Sequence, residues 1–166
     1  MATVHVRMAA LPAHVRTARL VAAAVARRCG LDEARLDEVR LAVGEACSRA
    51  VDVHRRHCPQ ELVEMTLSDD NGSFRVDVRD RGPGAPETTG AAPQDALGVL
   101  AESADTAGAL LDGGPGSRTG TDVDLVVAGV GIAVISGLVD DVTVRTGGDG
   151  TSVAMVWPAV PKARVR

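Results

Sequence analysis

Glu45 and Arg49 stand four residues apart in "GEACSRAV", residues 44–51. On a helix that spacing puts an acid and a base one turn apart. The carboxylate could serve as a general base. The guanidinium, with five donors and no acceptor, could bind an anion. The plainer alternative is a surface ion pair worth about 0.3–0.5 kcal/mol. Further on, "DRGPG" sets Asp80 ahead of Gly82 and Gly84. This is either an acceptor with open space beside it or an ordinary turn. "GVGIAV" puts Gly129 and Gly131 at a helix start, where free N–H groups can face an anion. It lacks the third glycine and βαβ unit of a dinucleotide fingerprint, and no Gly-Lys-Ser/Thr of a P-loop occurs. Thr151 follows Gly150 and offers a hydroxyl, or is an ordinary strand residue. His54, His57 and Cys58 invite a metal reading, but no second ligand cluster accompanies them. A fraying helix end is the simpler account.

The elements that must carry these residues follow from hydrophobic period. "TVHVRMAA" alternates as a half-buried strand. Pro12 suits a helix start and Gly30 its end, with Leu11, Val15, Ala18, Ala22, Val25 and Cys29 as one apolar stripe. A second helix spans about Asp32 to His57. Its core face is Leu36, Val39, Val43, Ala46, Ala50 and Val53, with Glu38, Glu45, Arg49 and Asp52 on the neighbouring flank. Residues 61–80 form a hairpin that turns at Asn71-Gly72 and ends in "DRGPG". Residues 83–125 carry seven acids against the single base Arg118, and their Gly/Pro/Ala/Thr composition reads as a long lid. Residues 129–141 read as a helix, and "VTVRT", "GGDG" and "TSVAMVW" as a closing hairpin. The expected architecture is α+β: a two-layer α/β sandwich, a mixed, mainly antiparallel sheet with helices on one face. One domain over residues 1–160 is expected, with the lid at about 85–128 and a tail at 161–166.

Composition narrows the function classes. The 166 residues are 45% hydrophobic, enough for a core, yet Phe74 and Trp157 are the only aromatics. An aliphatic core is expected, and no surface for stacking bases. A net charge of −4 gives no reason to expect nucleic acid or an anionic membrane as partner. No leader pattern and no apolar run of spanning length is found. Three cysteines without a CxxC pair suggest reduced thiols and a cytoplasmic location.

Taken in order, "EACSRA", "DRGPG", a lid, "GVGI" and "GTSV" resemble the ATP-binding fold of gyrase-type topoisomerases, histidine kinases and heat-shock ATPase chaperones. The small size most resembles the bacterial anti-sigma factor serine kinases. The resemblance covers about Val4 to Trp157. It implies that Asp80 accepts the adenine amino group, that Gly82 and Gly84 let backbone approach the base and lid, and that Gly129 and Gly131 meet the phosphates. It implies Thr151 near adenine and Glu45 as general base. ATP or ADP is the implied cofactor.

Two departures bear on activity. Arg49 occupies the position where the family has a magnesium-ligating Asn. A guanidinium cannot ligate a cation, so bound Mg²⁺ is not expected. Arg49 could pair with Glu45 and neutralise it, could hold phosphate in the metal's stead, or could leave an empty site on a protein-binding scaffold. Val53 stands at the family's histidine position, with His54 one step out of phase. The second departure is the acidity of the lid. The resulting expectation is an anti-sigma-type regulator of bacterial transcription, with kinase activity weak or lost. It would bind a sigma factor, an anti-sigma-factor antagonist of the STAS type, or both, as a homodimer to which the first helix's stripe could contribute. The alternatives are an active serine kinase acting on such an antagonist, and a detached sensor-kinase catalytic domain. No metal, direct nucleic-acid or membrane partner is expected.

Overall fold

The computed structural model describes residues 2–70, 72–83, 132 and 134–159. Strand β1 (Thr3–Met8) leads into helices α1 (Pro12–Cys29) and α2 (Glu33–His57). Strands β2 (Val63–Asp70), β3 (Ser73–Asp80), β4 (Asp141–Gly147) and β5 (Gly150–Pro158) complete the described elements. The sheet order is β1-β2-β3-β5-β4. All four pairings are antiparallel, the limiting case of the mainly antiparallel sheet expected. α1 and α2 pack together and lie on β2 and β3, and no element among the described residues covers the other face of the sheet.

Helix ends follow from local chemistry. Pro12 opens α1. Gly30 closes it in the left-handed region at φ 98°, and the N–H groups of Gly30 and Leu31 reach back to Arg27 and Ala26. The Asp32 carboxylate caps α2 by accepting from the Arg35 N–H at 2.9 Å. Gly72, at φ 83°, supports the tight turn between β2 and β3.

The core is aliphatic, as composition demands. Small residues on α1 (Ala18, Ala22, Ala26) and α2 (Ala42, Ala46, Ala50) are fully buried, so the helices meet over a smooth surface. The two aromatics are cross-strand partners, Phe74 opposite Trp157, with ring centroids 5.9 Å apart. The Trp157 indole N–H donates to the Leu138 carbonyl at 3.1 Å.

The apolar stripe of α1 is mostly core. Its buried line drifts to Ala26, while Leu11 at its start and Leu20 off it are exposed. The helix read over 129–141 ends by Ser136, turns at Gly137-Leu138, and yields to β4 at Asp141. Arg35 near the start of α2 holds Asp140, the residue before β4, at 2.6 Å. The C-terminal end of α2 is anchored rather than frayed, through His54. The lid, Gly84, Arg118, Gly129, Gly131 and the 161–166 tail lie outside the described residues.

Candidate functional site

The site is assembled by α2, the end of β3 and the start of β5. Asp80 is the last residue of β3 and is paired in register with Thr151 on β5. The alternation of β3 turns Phe74, Val76, Val78 and Asp80 toward the helices. A carboxylate therefore ends an apolar row, and it is 2% exposed. A buried anion costs several kcal/mol unless it is compensated.

Three donors compensate it. Oδ1 accepts from the backbone N–H of Gly82 at 3.1 Å and of Thr151 at 3.3 Å. Oδ2 accepts from the Arg49 guanidinium at 2.7 Å. The Arg49 side chain is only 16% exposed, so this ion pair is largely shielded. It is single-pronged, because the Arg49 Nε is buried without a hydrogen-bond partner.

The pairing of Arg49 with Glu45, one of the three outcomes weighed from sequence, is not made. Among the described residues no ion pair joins them. The energetics favour the longer reach. An exposed i,i+4 pair gains about 0.3–0.5 kcal/mol, whereas an uncompensated buried carboxylate costs several times that. Glu45 stays half-buried and keeps its carboxylate out of any ion pair among the described residues.

Two residues that sequence reasoning did not put in the site hold it together. His54 is fully buried. Its Nε2 accepts from the Arg81 N–H at 2.8 Å, and its Nδ1 lies 3.0 Å from the Glu61 carbonyl. The neutral imidazole with its proton on Nδ1 satisfies both contacts. His54 thereby ties the end of α2 to the backbone immediately after Asp80. Its sequence signal is the first histidine of "VDVHRRH", one step out of phase with the position the resemblance implies. Val53, at the position expected to match the family histidine, packs instead beneath Gly82, where a Cβ on that glycine would collide with it. Gly150 is the second. At φ +116° its Cα lies flat on the Asp80 carbonyl and the Arg81 backbone, leaving no room for a side chain. The sequence signal was its place at the end of "GGDG". Thr151 donates its N–H to Asp80.

Cys58, at the foot of α2, senses the same site. Burial first, then the negative charges of Asp80 and Glu61, push its thiol above the usual range. Cys47, in the helix interior, is pushed up to about 12 by burial, with a small opposing effect from Arg19. No three His, Cys, Asp or Glu side chains among the described residues could hold a metal ion together.

A model of the histidine kinase-like ATPase domain matches residues 8–157 of this chain. The chain belongs to that family. The histidine kinase-like ATPase domain is a nucleotide-binding fold, and the adenine-side acceptor expected of it, Asp80, is present and buried. A crystal structure of the RsbU and RsbW domains of Rv1364c from Mycobacterium tuberculosis superimposes with TM-score 0.58 at 17% identity, covering 96% of this chain and 34% of that one. This chain thus spans about a third of that neighbour, and the likeness supports the fold. No curated protein matches the sequence. The described residues of this histidine kinase-like ATPase domain do not fit a magnesium–nucleotide. The expected metal-ligand position carries donors only, and those donors already occupy the expected adenine acceptor. No helix among the described residues is long and apolar enough to cross a membrane.

Proposed function

We propose that this histidine kinase-like ATPase domain is an anti-sigma-type regulator of bacterial transcription that works by protein binding, its magnesium–ATP site closed by its own Arg49. The partners on this reading are a sigma factor, a STAS-type antagonist, or both. The protein acts in the cytoplasm as a homodimeric single domain over about residues 1–160, with 85–128 as its lid. The observation that carries the reading is the Arg49–Asp80 ion pair at 2.7 Å. A cation stands where a cation's ligand is needed, and it holds the carboxylate that would read the base. The family supports the fold, and the likeness to a structure that contains an RsbW domain supports the class of regulator.

Calorimetric titration of the whole chain with ATP, with and without Mg²⁺, tests it. Wild type is expected to show no Mg²⁺-dependent affinity. Arg49→Asn should gain at least tenfold in Mg²⁺-dependent affinity. A fall in affinity on that change would mean that Arg49 holds phosphate.

One observation favours the active-kinase alternative. Glu45 is not neutralised by Arg49 and stays available as a base. Transfer of labelled phosphate from Mg²⁺-ATP to a cognate antagonist, abolished by Glu45→Ala, would replace the closed-site reading with that one.

A further inference from the structure

The face of the sheet opposite the helices is polar, and its charges are unevenly matched. The register aligns Arg7, Glu64, Arg79, Ser152 and Arg145 in one row across all five strands. The acids on this face are largely engaged. Asp77 is bound by Arg75 at 2.9 Å and by the Ser152 hydroxyl at 2.9 Å, and Glu64 faces Arg81 at 3.5 Å. Arg7, Arg79 and Arg145 are exposed and have no hydrogen-bond or ion-pair partner among the described residues. Arg79 and Arg145 line a shallow depression of about 630 Å³ walled by the β4–β5 turn, with Asp149 the one unengaged acid on its rim.

We infer that this face is a docking surface for an extended acidic segment of a partner protein, gripped by Arg7, Arg79 and Arg145. The surface lies across the sheet from Arg49 and does not depend on the state of the nucleotide site. Neighbouring strands are spaced about 4.8 Å apart, so each successive arginine in the row is about 10 Å from the next. A segment in the extended polyproline II form has about three residues per turn and rises about 3.1 Å per residue, so every third side chain faces the same way about 9 Å from the last, and acids at every third position match the row. Arginine is the side chain suited to this, since its planar fork binds a carboxylate bidentately with little further ordering. A nucleic acid is the poorer fit. The interleaved Glu64, Asp77 and Asp149 would repel a continuous phosphate backbone, and both aromatics are buried, leaving nothing to stack on a base.

The test uses the full chain and two fluorescein-labelled peptides read by anisotropy. One is Glu-Gly-Ser-Glu-Gly-Ser-Glu, and the other an isomer with its three glutamates contiguous. The spaced peptide is expected to bind at least tenfold more tightly at low ionic strength. Arg79→Glu/Arg145→Glu should lose at least tenfold of that affinity and gain affinity for the matching lysine peptide. Both positions are exposed, and an unchanged melting curve checks that the variant is folded. Absence of binding by the spaced peptide, equal affinity for the isomers, or undiminished binding by the reversed variant overturns the inference. So does tighter, arginine-dependent binding of an oligothymidylate, which makes the face a nucleic-acid surface. Wild-type self-association that the same reversal abolishes also overturns it, by assigning the face to a second copy.

Discussion

Arg49 and Asp80 form the decisive contact, and its energetics can be measured. Arg49→Ala leaves a carboxylate that is 2% exposed with only two backbone donors, and should cost about 3 kcal/mol in denaturant unfolding. Combining it with Asp80→Asn should recover a large part of that loss, with a coupling of about 2 kcal/mol in the double-mutant cycle. Strictly additive single changes would mean the two side chains do not act as a pair. Cys47 provides a second measurement at this scale. Its thiol is raised to about 12 in the folded protein, against about 8.5 in an unfolded chain. The unfolded state therefore releases this proton first as pH rises. The associated stability is fully present below about pH 8.5 and is lost progressively toward pH 12, at up to about 1.4 kcal/mol per pH unit. Unfolding curves from pH 8 to 10.5 should fall less steeply for Cys47→Ala than for wild type. Parallel slopes would mean that Cys47 does not titrate differently in the two states.

At the scale of elements, α2 is the carrier of the site, and its two ends are fixed by different chemistry. The Asp32 cap secures the start, and Asp32→Ala should cost about 1 kcal/mol. His54 secures the end by bridging Glu61 and Arg81. Replacing it with Leu should raise amide exchange at Arg81 and Gly82 at least tenfold while leaving the β2–β3 ladder protected. Unchanged exchange there would remove His54 from the tie. Between β5 and β3 the equivalent role falls to Gly150. Gly150→Ala drives a Cβ into the Asp80 carbonyl at a positive φ and should cost about 2–4 kcal/mol. Gly148→Ala in the same turn meets nothing within 4 Å and should stay within about 0.5 kcal/mol of wild type. If the two substitutions cost the same, the close approach at Gly150 has no energetic weight.

Across the whole molecule, the two faces of one sheet separate two kinds of chemistry. The helix-covered face carries the buried Asp80 and its ion pair with Arg49. The other face carries three arginines in one row whose side chains have no partner among the described residues. The periodicities that define α1, α2 and both hairpins are local, so they were legible residue by residue, and so was the order of motifs that points to the family. The identity of Arg49 was legible too, and with it the lack of an acceptor at that position. What stayed hidden were contacts between residues far apart in the chain. Arg49 chose Asp80, 31 positions away, over Glu45, one turn away, because burial set the relative cost of leaving each carboxylate alone. His54 looked out of phase because its partners, Glu61 and Arg81, belong to other elements. The arginine row exists only through strand register. Sequence by itself determined α1, α2, both hairpins and the family, and it put a cation where the resemblance implies a metal ligand, since each depends on spacing and side-chain type. Tertiary structure alone decided what that cation holds, because desolvation is a property of the packed interior.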